Sequence, residues 1–179
     1  MTSRGDSRSA AAELPRRVYL DTQFVFAYLV DSDPDHADAV RTVKAFRVVH
    51  RAGILTGFIS VIVLDEVAWR VAGALYDTEH GAGAWRQTDR DEAFVRVRKE
   101  VAQAIESLLR EPWLRIATAD EEVCSVYASF MRRFALRPAD LAHLAIAHAS
   151  GMDAILTHDS DFHSLANSPV QVISYRRGE

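Results

Sequence analysis

The sequence predicts a three-layer α/β/α domain built on a central, mostly parallel sheet of four or five strands. Short β-rich runs at 18–20, 54–59, 113–117 and 154–157, with 170–174 as a candidate fifth, alternate with longer segments of helical apolar spacing. Strands that alternate with helices pair in parallel and need cover on both faces. The 179 residues are 49% hydrophobic and 26% charged, a globular balance for one domain that can bury a core without disulfides.

Each element has a local signal. Val18, Tyr19 and Leu20 form an apolar run that ends in Asp21, and the dense apolar stretch 22–30 continues it as a helix. Asp33 and Pro34 offer a cap and a first-turn proline for a helix over 36–50, with Ala39, Val40, Val43 and Phe46 on one face and Gly53 as its stop. Strand 54–59 leads to Ser60, an N-cap for a helix to about residue 75. Residues 77–91, with Gly81 and Gly83, read as one long loop, followed by an amphipathic helix over 91–110. After strand 113–117, Thr118-Ala119-Asp120-Glu121 is a capping-box sequence for a helix to Phe134. Pro138 opens a further helix that Gly151 ends. Residues 1–16 and 176–179 read as tails around a domain at 17–175.

Several function classes are set aside at this stage. The first 17 residues contain no apolar run suited to a secretory signal, and no segment offers the ~18 apolar residues of a membrane span, so a cytoplasmic, soluble protein is expected. The single cysteine, Cys124, lies in an apolar-periodic segment and is expected to be a buried thiol. Net charge is −4, from 21 basic and 25 acidic residues, so any nucleic acid must be held by local basic residues. Candidates are Arg96, Arg98 and Lys99, then Arg132, Arg133 and Arg137. A solvated helix face is the simpler account of the first three, whereas Arg137 directly precedes the helix that carries Asp140.

Four acids stand where ligands gather in parallel sheets, at or near the carboxyl ends of strands. Asp21 follows the first strand, Asp159 the fourth, Glu66 lies early in the helix begun by Ser60, and Asp140 in the first turn of the helix begun by Pro138. Each also has a structural explanation. Asp140 complements its helix dipole, worth ~0.3–1 kcal/mol. Glu66 can pair with Arg70 one turn on, worth ~0.2–0.5 kcal/mol. Asp21 can cap, and Asp159 can form a turn.

Taken in order, four stretches resemble the PIN-domain nucleases and, within them, the VapC-like toxins of toxin–antitoxin pairs. They are Val18-Tyr19-Leu20-Asp21-Thr22, then Ser60 to Val67 with Asp65-Glu66, then Pro138-Ala139-Asp140-Leu141-Ala142-His143, and Ile155-Leu156-Thr157-His158-Asp159-Ser160-Asp161-Phe162. The resemblance implies a PIN-like fold with Asp21, Glu66, Asp140 and Asp159 as the catalytic and metal-site acids, supported by the hydroxyls of Thr22 and Thr157. Asp161 is an alternative or additional ligand to Asp159. Arg137 and His158 are the substrate-binding candidates at the same edge. Two features depart from the pattern: Gln23 stands where the family often has Asn, and the 77–91 segment is longer than compact toxins need.

The chemistry agrees with that implication. Two carboxylates ~4 Å apart at an effective dielectric of ~20 repel by roughly 4 kcal/mol, and a hard cation that takes oxygen ligands relieves this. Mg²⁺ or Mn²⁺ would polarise a phosphodiester and activate water. The expected function is therefore a metal-dependent endoribonuclease acting on structured RNA, the toxin of a pair with a cognate antitoxin and, by family likeness, a homodimer. The alternatives are a PIN-domain RNA-processing nuclease that is not a toxin, and an inactive PIN-like interaction module. A phosphatase reading of Asp21 is weakened by Gln23, because the acyl-phosphate signature places a second Asp there. His143 and His148, five apart on a helix, do not share a face and read as structural or surface residues; His158 is otherwise an exposed loop histidine. Trp69 is expected in the core and Trp85, in the loop, at a binding surface.

Overall fold

The computed structural model describes residues 15–176. In chain order its elements are β1 (Arg17–Leu20), α1 (Thr22–Leu29), α2 (His36–Arg51), β2 (Thr56–Ile59), α3 (Val61–His80), α4 (Ala84–Gln87), α5 (Arg90–Leu109), β3 (Leu114–Ile116), α6 (Glu121–Arg133), α7 (Pro138–Ala149), β4 (Ala154–Leu156), α8 (Ser160–His163) and β5 (Gln171–Ile173). The N-terminal tail expected at 1–16 lies outside the described residues except for its last two. The C-terminal tail does so except for Arg176, whose guanidinium donates from two of its nitrogens, Nε and Nη2, to Asp35.

All five strands are parallel, in the order β3-β2-β1-β4-β5. Strand β1 lies at the centre, and Val18, Tyr19 and Leu20 have no exposed surface. Gly57 in β2 has a packing reason: a Cβ there would lie 2.6 Å from the ring of fully buried Trp113. The chain first steps outward from β1 through β2 to β3, then crosses back to β4 and on to β5. Helices α1 to α5 pack with one another and α6 packs with α7. The right-handed crossover rule puts these two groups on opposite faces, completing three layers. The reversal between β1 and β4 opens a crevice at their carboxyl ends.

Several expectations are corrected. The long loop at 77–91 is mostly helical: α3 continues to His80 and ends at Gly81 with φ of 99°, α4 occupies Ala84–Gln87, and α5 begins at Arg90. The helix outlasts its expected end near residue 75 because its buried face continues past Val71 to Tyr76. The cap of α6 is Asp120, not Thr118, with its carboxylate accepting from the amides of Glu122 and Val123. Asp33 and Pro34 precede α2 rather than starting it; Asp33 accepts from the amide of Asp35 in a turn. Cys124 is exposed, being on the outer face of α6. Trp85 is buried, while Trp69 is 39% exposed, the reverse of expectation.

Candidate active site

The crevice is a cleft lined by Asp21, Thr22, Gln23, Glu66, Trp69, Arg70, Arg137, Ala139, Asp140, His143 and Asp159. The four expected acids thus meet although four separate segments deliver them. Asp21 closes β1 and caps α1: its Oδ1 accepts from the Thr22 amide at 2.7 Å. Its Oδ2 accepts from the Thr157 hydroxyl at 2.8 Å, and that same hydroxyl accepts the Asp159 amide at 3.0 Å. Thr157 therefore fixes the end of β1 to the end of β4. Asp159 in turn caps α8 by accepting from the Asp161 amide.

Glu66 is held from the other wall. Its Oε2 accepts from the Thr22 hydroxyl and from His143 Nε2, the latter at 3.0 Å. His143 is 1% exposed, and its Nδ1 lies 2.9 Å from the hydroxyl of Tyr19, which is 2.8 Å from the Ser60 hydroxyl. The His143 hydrogen bond holds the Glu66 carboxyl below its ordinary range, against the opposing effect of burial. Burial pulls His143 down, but the Glu66 hydrogen bond and the charges of Asp21, Glu66 and Asp140 outweigh it and raise its pKa.

Asp140 and Asp159 share one cation. Arg137 Nε donates to Asp140 Oδ2 at 3.1 Å, and its Nη2 lies 3.6 Å from Asp159 and 3.9 Å from Asp161. Burial, with Asp159 and Asp21 nearby, still lifts the Asp140 carboxyl above its usual range despite Arg137. Every acid is thus turned toward a protein partner, and among the described residues no three His, Cys, Asp or Glu side chains are grouped to hold an ion. The donor chemistry nonetheless suits a hard cation, since four carboxylates line one cleft and both hydrogen bonds to Glu66 fall on Oε2.

The PIN domain family model matches residues 18–168. The chain belongs to the PIN domain family. No curated protein gives a significant match. Among solved structures, the PIN domain here is similar to VapBC2 from Rickettsia felis, bound to a promoter DNA fragment, at 15% identity over 88% of this chain and 98% of that one, TM-score 0.56. It is similar to VapC20 of Mycobacterium tuberculosis, a toxin that cleaves the sarcin–ricin loop, at 16% identity over 82% and 93%, TM-score 0.52. FitAcB from Neisseria gonorrhoeae aligns at 17% identity over 88% and 97%, TM-score 0.55. At such identities the structural overlap shows a shared, VapC-like fold.

Within this PIN domain some candidates fall elsewhere. His158 is not among the cleft residues; its Nε2 lies 3.4 Å from Asp35 and its ring packs edge-on to Tyr175. Asp161, with a half-exposed side chain, belongs to an adjoining hollow with Arg133 and Leu136. Besides Gln23 and Ala139, which adjoin expected site residues, the cleft contains His143, Trp69 and Arg70, which the sequence reading did not place there. Helical spacing contained the signal. His143 is three residues beyond Asp140, and Trp69 and Arg70 are three and four beyond Glu66, so each shares a face with a site acid.

Among the described residues, no helix is long and apolar enough to cross a membrane.

Proposed function

We propose that this PIN domain is a metal-dependent endoribonuclease that cuts structured RNA as the toxin of a toxin–antitoxin pair. The observation that carries the reading is the meeting of Asp21, Glu66, Asp140 and Asp159 in a single cleft at the sheet's switch point. These acids would hold Mg²⁺ or Mn²⁺, with Asp161 as a peripheral addition. When bound, such an ion supplies a polarised phosphodiester and a water acidic enough to attack it near neutral pH.

The chain's own residues prepare that chemistry. Thr22 and Thr157 fix both oxygens of Asp21 before any substrate arrives, so little reorganisation is needed. His143 and Thr22 orient Glu66, and the lowered Glu66 pKa keeps it an anion. Arg70 and Arg137 offer the cleft its positive charge for phosphate. The VapC-like fold supports a toxin reading, with a cognate antitoxin covering the cleft and a homodimer as the working unit. Cleavage of a structured-RNA pool with Mn²⁺ tests it; activity should vanish with EDTA and in Asp21→Asn. Undiminished cleavage by Asp21→Asn would overturn the site assignment.

One observation favours a second reading, an inactive module that works by contact. Arg137 already lies across Asp140 and Asp159, as a structural counter-ion would. Calorimetry separates the two, because such a module binds no Mn²⁺.

A further inference from the structure

Trp69 is an exposed indole on the wall of a cleft otherwise lined mainly by polar and charged groups. Its position follows from helical geometry: on α3 it stands one turn beyond Glu66, with Arg70 beside it, so acid, ring and guanidinium share one face. The ring is also backed. Phe94 of α5 lies nearly parallel to it at 6.0 Å between centroids, and Trp85 of α4 meets it edge-on at 5.0 Å.

The backing is built from the segment that the sequence presents as a long loop. The Trp85 amide donates to Asp77 at 2.7 Å, which ties α4 to α3. Gly73 admits the indole of Trp85, since a Cβ there would lie 3.2 Å from it. Arg70 is held over the Phe26 ring, 4.1 Å from its centroid. The result is a rigid aromatic surface, flanked by a positioned cation, within the same cleft as the acids.

We infer that Trp69 is a stacking platform for an unpaired nucleobase beside the phosphodiester held in the acid cleft, with Arg70 receiving a neighbouring phosphate. This rests on the nuclease reading and specifies its substrate as RNA with a single-stranded stretch or loop at the cut. Base stacking on an aromatic ring tolerates any base, while a duplex keeps its π-faces covered. The platform therefore selects unpaired nucleotides rather than a sequence.

The test uses the full chain in EDTA, so that binding is read without cleavage, and a fluorescently labelled single-stranded RNA octamer beside the same sequence as a duplex. Trp85 and Trp113 are buried, so quenching of tryptophan emission by the single strand reports mainly on Trp69. Trp69→Ala is expected to weaken single-strand affinity by about 10-fold or more, whereas Trp69→Phe retains most affinity but loses most of the quenching. Circular dichroism and Tm confirm that both variants fold, and the retained ring in Trp69→Phe guards against a packing artefact.

Octamer binding that is equal in wild type and Trp69→Ala overturns the platform while leaving the nuclease reading intact. Preference for the duplex overturns it as well. No binding of either RNA, together with no Mn²⁺-dependent cleavage, removes the nuclease reading and the platform with it.

Discussion

Two acidic settings in this molecule are built on opposite principles. Glu111, just past the end of α5, has an 11% exposed side chain and four donors: Arg47 Nε and Nη2, the Tyr28 hydroxyl at 3.0 Å and Trp113 Nε1 at 2.8 Å. One carboxylate meets one guanidinium and two neutral donors. In the cleft, four carboxylates face two arginines, and Arg137, which bridges two of them, is 70% exposed. The charge of Glu111 is matched within the fold, whereas the charge of the cleft is left in excess, the imbalance that the proposed chemistry calls for.

The largest break in that comparison is expected from Asp21→Asn, with cleavage reduced by about 100-fold or more, measured as initial rates under Mn²⁺. Its Tm should fall by only about 2–4 °C, since the amide oxygen can still accept from the Thr22 amide while the Thr157 hydroxyl loses its acceptor. Glu111→Ala is expected to do the converse. It leaves Arg47, Tyr28 and Trp113 without their acceptor and should cost roughly 2–3 kcal/mol in urea denaturation, with the metal-dependent rate at saturating RNA preserved.

The pH dependence of stability sharpens the contrast. Burial raises the Glu111 pKa, but hydrogen bonds from Arg47, Tyr28 and Trp113 overcome it and the net shift is downward. A depressed carboxyl stabilises the fold above its unfolded pKa of about 4.3, and that contribution is lost as pH falls through the lower folded value. Wild type should therefore lose stability faster than Glu111→Gln between about pH 4.5 and the acid limit of the titration, in urea midpoints taken at each pH. A parallel pair of curves would refute the assignment.

Two further comparisons concern the cleft. Mn²⁺ at about 100 times its Kd is expected to stabilise wild type by roughly 2.7 kcal/mol, and Glu111→Gln equally, but Asp21→Asn much less. Asp159→Asn is expected to remove most cleavage, while Asp161→Asn, whose carboxylate is half exposed and only 3.9 Å from Arg137 at its nearest, should change rates by less than about 5-fold. Equal losses would bring Asp161 into the site.

Much of this organisation could be read from the sequence. The strand ends announce Asp21 and Asp159, because an apolar run must stop at the sheet edge and the next polar residue stands there. Glu66 and Asp140 come from family likeness, and the structure places both in the same cleft. The tryptophans were harder. Counting Trp69 from Asp65 places it in the core, and counting it from Glu66 places it in the cleft; only the tertiary position of α3 decides between them. Trp85 looked like a loop residue because Gly81 and Gly83 mask the short α4, and its burial depends on the gap left by distant Gly73. His143 has no helix-face partner in His148, five residues on, and its signal lies instead in Asp140, three residues before it on the same face.

Strand β1 sits between β2 and β4 and supplies the first acid, yet the Thr157 hydroxyl that steadies Asp21 arrives with β4, after α7. On the ribosome the sheet must then wait, with one side of its central strand unpaired, until most of the domain has been made. A nascent or truncated chain ending before β4 lacks both Asp159 and the clasp on Asp21. The topology thus delays assembly of the four-acid cleft to a late stage of synthesis, so that the acids stay apart while most of the chain is being translated.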